Sequence, residues 1–197
     1  VSSSVSGVVP RWEWRTFGET LEPAESILAE REIDRVQDSD EIYLLSRESD
    51  ASVKVRDDLM DVKLLEAVDD VGLEQWRPVL KASFPLAATD VRIVLDALAV
   101  PAPELARERY TLDELVEDVI GANAALSAVG VRKHRAHHIL DGCMVELSDV
   151  TAEGRSMRTI AVEAEDAGLV AATVRELGLA ERPNVCLARG LKTMLGY

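Results

Sequence analysis

Residues 131–165 read VRKHRAHHILDGCMVELSDVTAEGRSMRTIAVEAE, and two dipeptides punctuate the run, Asp141-Gly142 and Glu153-Gly154. Asp-Gly between alternating segments is a strong hairpin signal, because both central residues of the tight turn need positive φ. The stretch therefore predicts three successive strands, Ala128–Leu140, Cys143–Val150 and Met157–Glu165. Along them every second residue carries the charge. Lys133 and Arg135 share a parity with Val131; Glu146 and Ser148 oppose Val145 and Leu147; and Thr159, Ala161, Glu163 and Glu165 oppose Ile160, Val162 and Ala164.

The same alternation recurs upstream. Arg11–Phe17 reads as a strand with Trp12, Trp14 and Thr16 on one face and Glu13, Arg15 and Phe17 on the other. Glu41–Arg47, Ser52–Asp57 and Met60–Val68 read as three more, the last two joined by a tight turn at Asp57-Asp58. In these, Val53 and Val55 oppose Lys54 and Arg56, and Val62 and Leu64 oppose Asp61 and Lys63. Helical spacing marks Leu21–Glu32, Leu73–Ser83, Asp90–Leu98 (capped by Thr89 or Asp90) and Leu169–Leu177, the last ended by Gly178. Thr111 and Glu114 form a capping-box pattern ahead of Leu115 and Val116. Leu105–Tyr110 reads as either strand or irregular chain, and Val185–Leu195 as a short helix or an irregular tail. Residues 1–9, Ser-rich, read as a flexible lead-in to one domain over 10–197.

Period-two alternation belongs to any sheet with one wet face, so a solvated charged surface is the simpler alternative. Two features weigh against it. The charges are sorted by strand, cations on Lys54/Arg56, Lys63 and Lys133/Arg135, acids on Glu146 and Glu163/Glu165. Lysine is otherwise scarce: Lys54, Lys63, Lys81, Lys133 and Lys192 complete its use, and three of them lie on this parity. If the strands close, the charged parity becomes an interior. Burying that many ions dry is costly, so the cavity is expected to be wet or to hold a charged ligand. Lysine and arginine suit phosphate oxygens, and clustered carboxylates suit Mg²⁺ or Mn²⁺.

Composition sets outer bounds. A net charge of −14, from 36 acids against 22 lysines and arginines, argues against general nucleic-acid binding through the outer surface. Two cysteines, Cys143 and Cys186, are too few for a disulfide framework, and a reduced cytoplasmic protein is expected. No apolar run approaches the roughly 18 residues of a membrane span. His134 and His138 share a parity but lie about 13 Å apart along a strand, too far to bind one ion together. His137 shares the parity of Lys133 and Arg135.

In the order and shared parity of these short motifs the chain resembles the CYTH superfamily, the triphosphate tunnel metalloenzymes, along nearly its whole length. Glu13-Trp14-Arg15-Thr16-Phe17 is similar to the family's opening Glu-x-Glu-x-Lys strand, with Arg15 and Phe17 in place of the second glutamate and the lysine. Val53-Lys54-Val55-Arg56, Asp61-Val62-Lys63 and Lys133-His134-Arg135 resemble its basic strands. Glu146-Leu147-Ser148-Asp149 and Val162-Glu163-Ala164-Glu165 resemble its acidic ones, and Lys192 falls where a basic residue often stands near the C-terminus.

The resemblance implies an α+β fold, an eight-stranded antiparallel β-barrel or tunnel with helices packed outside. It implies a small triphosphate or polyphosphate held by Arg15, Lys54, Arg56, Lys63, Lys133, Arg135 and Lys192. Mg²⁺ or Mn²⁺ would be ligated by Glu13, Glu146, Glu163 and Glu165, with Glu163 and Glu165 at the centre of catalysis. The activity so implied is metal-dependent triphosphate hydrolysis, inorganic triphosphate first. The alternatives are a class IV-like adenylate cyclase and a non-catalytic polyphosphate- or nucleotide-binding module. Internal salt bridges needing no metal are the alternative for Glu163 and Glu165, and Arg15 is read as an anion contact or as their partner. A homodimer is left open.

Overall fold

The computed structural model describes residues 8–197, so most of the expected lead-in lies outside the described residues. The chain runs β1 (Arg11–Gly18), α1 (Ala24–Ala29), β2 (Arg35–Ser46), β3 (Ser52–Arg56), β4 (Leu59–Val68) and β5 (Glu74–Ser83). A small ribbon, β6 (Leu86–Ala87) with β7 (Arg109–Tyr110), brackets α2 (Ala88–Ala97). After α3 (Leu112–Glu114) and a π-helical turn (Leu115–Ile120) come β8 (Leu126–Leu140), β9 (Cys143–Ala152) and β10 (Arg155–Ala164). α4 (Ala167–Glu176) and α5 (Leu187–Leu195) complete it. Eight strands close into an antiparallel barrel in the order β1-β10-β9-β8-β2-β3-β4-β5. The α+β barrel expected from the alternation and the resemblance is the observed fold.

The turns form where the dipeptides place them. Asp57 and Asp58 both take positive φ, at 50° and 58°, and Asp141-Gly142 does the same at 46° and 88°. Thr111 and Glu114 make the reciprocal capping box, starting α3. Two apolar layers coat the outside of the barrel. Val53, Val55, Met60 and Val62 pack under α2 and the π-helical turn through Val91, Val94, Leu115 and Val119. Trp14, Val145, Ile160 and Val162 pack under α1 and α4 through Leu28, Val170 and Val174. A third layer lies on the inward parity at one end of the barrel. There Leu45, Val129, Val131 and Val150 meet Leu187, Ala188 and Leu191 of α5. Phe17, on the charged parity of β1, packs at this end, its ring only 2.3 Å from where a Cβ on Gly190 would sit. Glycine at 190 is what lets α5 come this close to β1.

One expected helix is a strand. Leu73–Ser83 has helical spacing, but 74–83 is β5, hydrogen-bonded to β4 and β1. Pro78 opposes helix formation in mid-segment. In β5 it sits beside a bulge, where Lys63 pairs with Pro78 and Val62 with Leu80, leaving Val79 as an extra residue. The bulge switches parity, so Trp76 faces the barrel cavity while Leu80 and Ala82 join the layer under α2. Without β5 the barrel could not close. The ambiguous Leu105–Tyr110 contributes only the two residues of β7, outside the barrel. β2 starts at Arg35 rather than Glu41, since its first half pairs with β8 from Arg35↔His137 onward.

Candidate functional site

Nine of the eleven residues expected at the site line one barrel cavity of about 310 Å³: Glu13, Arg15, Lys54, Arg56, Lys63, Lys133, Arg135, Glu146 and Glu163. The strands set the arrangement. β3, β4 and β8 supply the lysines, Arg56 and Arg135, whereas β1, β9 and β10 supply the three glutamates and Arg15. Cys186, Leu187 and Ala188, at the start of α5, form part of the wall.

Two expected residues stand elsewhere. Glu165 follows the last residue of β10 and is exposed, because the strand ends before the alternation can turn it inward. Lys192 lies on α5, donating to the Ser49 carbonyl at 2.8 Å and the Asp50 carboxylate at 2.6 Å, and so anchors the helix outside the cavity lining. Arg15 also differs from expectation. Its carboxylate partners are Glu13 and Glu146, not Glu163 or Glu165, because β1 places its guanidinium toward β9. His137 lies in register with Glu146 but is not part of the lining.

The residue that organises the cationic wall is Glu41, which sequence reasoning missed. Its side chain is fully buried behind the wall. Lys133 Nζ approaches it at 3.3 Å, Lys54 Nζ at 3.4 Å and Arg56 Nη1 at 3.8 Å, Arg135 Nη2 bonds directly to Oε1, and Ser39 Oγ donates at 3.0 Å. Burial alone would raise the Glu41 carboxyl, but Lys133, Lys54 and Arg135 overcome it and hold the group well below the usual range. The signal was present: Glu41 shares a parity with Tyr43 and Leu45, an acid next to the apolar, inward-facing end of β2. Tyr43 lines the cavity and accepts a hydrogen bond from Lys133 Nζ at 2.8 Å.

One carboxylate cannot neutralise that many cations. Burial, then the neighbouring Lys54, push Lys133 down to about 7, against the pull of Glu41 and Glu146. Arg135 is 2% exposed, and its Nη1 is buried with no hydrogen-bond partner. Such an orphaned donor is costly in a folded protein unless something else accepts from it.

The acidic wall is already occupied by arginine. Arg15 Nε donates to Glu13 at 3.0 Å, and its Nη1 lies 3.5 Å from Glu146 and 3.4 Å from Thr159 Oγ1. Arg135 Nε reaches the second oxygen of Glu146 at 3.6 Å, and Arg11 reaches Glu163 at 3.5 Å. Burial would raise the Glu146 carboxyl, but Arg15, Lys133 and Arg135 take it down to about 2. Glu163 goes the other way, raised by burial and by Glu13, which stands directly opposite it across the β1–β10 ladder. The four-carboxylate set expected for Mg²⁺ or Mn²⁺ is therefore not assembled. Glu165 is outside, Glu13 and Glu146 hold a guanidinium, and no group of three metal-ligating side chains occurs among the described residues.

No helix among the described residues is long and apolar enough to cross a membrane. No protein-family model matches the chain, and no curated protein matches it. Among solved structures it is similar to a candidate adenylate cyclase from Bacillus halodurans, at 14% identity and a TM-score of 0.47, covering 89% of this chain and 93% of that one. It is also similar to a candidate adenylyl cyclase from Hippeastrum for which a dominant triphosphatase activity is stated, at 13% identity and a TM-score of 0.45 over 86% and 88% of the two chains. A conserved hypothetical protein from Pyrococcus furiosus is similar at 16% identity and a TM-score of 0.49, over 89% and 94%. At these values the chain's own barrel and interior charges carry the reading. In them it resembles the CYTH superfamily, the triphosphate tunnel metalloenzymes: a closed antiparallel eight-stranded barrel with its charged parity turned inward.

Proposed function

We propose that the barrel interior binds a small triphosphate or polyphosphate anion. The observation that carries this reading is the buried, unpartnered Nη1 of Arg135 beside Lys133, Lys54, Arg56 and Lys63 on one cavity wall. With its Nη2 bonded to Glu41, this guanidinium, itself part of the cavity lining, keeps a second nitrogen with no acceptor among the described residues. A chain of phosphates supplies acceptors for it and charge for the lysines. Lys63 contributes from β4, where it also acts on Glu163.

Hydrolysis of the bound anion is the second reading, and Glu163 favours it. Burial and the facing Glu13 raise its carboxyl, the direction a general acid needs, and it lines the cavity. Glu165, exposed beyond the strand end, takes no part in this reading.

The test is thermal unfolding with inorganic triphosphate, ATP or thiamine triphosphate, each with and without Mg²⁺ or Mn²⁺, with phosphate and cyclic AMP measured in the same wells. A ligand at about 100 times its dissociation constant adds about 2.7 kcal/mol. Stabilisation is the expected result. Release of phosphate adds the hydrolase, cyclic AMP from ATP indicates the cyclase, and no stabilisation by any of the three removes the binding reading.

Lys133 makes the binding pH-dependent in a defined direction. In the free protein it loses its proton around pH 7, whereas a bound polyanion favours the charged ammonium and raises that value. Triphosphate affinity should therefore fall as pH rises from about 6 to about 9. Stability of the free protein should move oppositely in its Lys133 component. The unfolded lysine keeps its proton to about pH 10.4, so the folded state gains as pH rises through about 7 toward that value. Calorimetric titrations with triphosphate at the two ends of the range check the first slope and denaturant unfolding of the free protein at the same pH values checks the second, each compared between wild type and Lys133→Met. A pH-independent affinity in wild type would remove Lys133 from the contact.

A further inference from the structure

We propose that Arg15 stands in for a metal ion, so that the barrel takes up its polyphosphate in the metal-free form. The inference rests on the binding reading above and names the species bound. A metal beside a polyphosphate does two things: it neutralises the carboxylates that would repel the anion, and it places positive charge against the phosphate oxygens. Arg15 already does the first. It lies 3.0 Å from Glu13 and 3.5 Å from Glu146, the two acids nearest it on the wall opposite the lysines. As a member of the cavity lining it is also placed for the second.

Its position is built rather than incidental. Arg15 is 8% exposed, and its backbone is held on both sides: the N–H donates to Asn184 Oδ1 at 2.8 Å, and the carbonyl accepts from Val185 N–H at 2.7 Å. The guanidinium also touches Thr159 Oγ1, whose own hydroxyl is committed to the Thr16 carbonyl at 2.8 Å. A divalent ion using Glu13 and Glu146 would have to displace this buried cation and sit beside it. Like-charge repulsion in a low-dielectric cavity opposes that. The remaining acid, Glu163, is met by Arg11 at 3.5 Å. Every glutamate of the acidic wall thus has an arginine partner.

Mg²⁺ in solution should therefore compete for the ligand rather than assist it, by forming the magnesium complex of the triphosphate. The experiment is calorimetric titration of the full chain with sodium triphosphate, once in EDTA and once in excess Mg²⁺. It is paired with a Mn²⁺ titration of the protein alone, read by the loss of the free-ion electron paramagnetic resonance signal. Wild type should bind in EDTA, weaken by roughly tenfold or more in Mg²⁺, and leave the Mn²⁺ signal unchanged. Arg15→Glu should reverse the pattern: triphosphate binding in EDTA falls by roughly a hundredfold, and Mn²⁺ now binds to the protein. Should that variant not fold by circular dichroism, the wild-type pair of titrations decides alone. Triphosphate binding by wild type that requires Mg²⁺, or Mn²⁺ binding by wild type alone, overturns the role given to Arg15 and leaves the anion site standing. No binding under either condition overturns the anion site itself.

Discussion

Glu41→Gln should lower the stability of the ligand-free protein by about 3–5 kcal/mol, the range for removing one partner from a buried charge cluster. The size follows from what the substitution leaves behind. Lys54, Lys133, Arg56 and Arg135 all lie within 4 Å of that carboxylate, and two of them, Lys133 and Arg135, are 3% and 2% exposed. Glutamine keeps the shape and can still accept from Ser39, but it offers no charge. Denaturant unfolding of wild type and variant measures the difference. The same variant should be stabilised by triphosphate more than wild type is, because the anion then supplies counter-charge that Glu41 no longer provides. A change below about 1 kcal/mol, the scale of exposed ion pairs, would mean that the cations are solvated and the cavity needs no anion.

The second large effect is expected at Arg135, in binding. Arg135→Gln should weaken triphosphate by about 2–5 kcal/mol, as truncation of a buried hydrogen-bonded charge at an interface does. Arg135→Lys separates charge from shape. It keeps the cation but loses the planar fork that lets Nη2 hold Glu41 while Nη1 stays free to donate elsewhere. Its affinity should fall between those of wild type and the glutamine variant. Calorimetric titration with triphosphate, with unfolding curves to confirm that each variant is folded, checks the order. Equal affinity of all three would show that the orphaned nitrogen is not a ligand contact.

How far the sequence could be read depended on whether a strand keeps one register throughout. β3, β8, β9 and β10 hold strict alternation around the site, and Lys54, Arg56, Lys133, Arg135, Glu146 and Glu163 all arrive on the inward face. β5 inserts Val79 and changes parity midway, so its apolar residues fall at intervals that mimic a helix. Glu165 kept the parity of Glu163 but fell one residue past the end of β10, where the backbone leaves the sheet for the Asp166 cap of α4. Lys192 lay on a helix, where strand parity has no meaning, and its charge goes to Asp50. Glu41 stands where the apolar run of its strand begins, which gives it the look of a strand end, whereas β2 begins at Arg35 and holds it well inside.

By itself, then, the sequence determined that this chain builds sheets with one charged face, sorted by sign from strand to strand. Period-two patterning and turn chemistry are local properties, legible within a dozen residues. Only the tertiary structure decided which charge answers which. Arg15 meets Glu146 across 131 positions of sequence, and Arg135 meets Glu41 across 94, because barrel closure brings β1 to β10 and β2 to β8. Coulomb interactions depend on distance and burial, and both are set by that closure. The closed barrel turns a set of strand-sorted charges into an acidic wall neutralised by arginine and a cationic wall with one buried donor left unpaired.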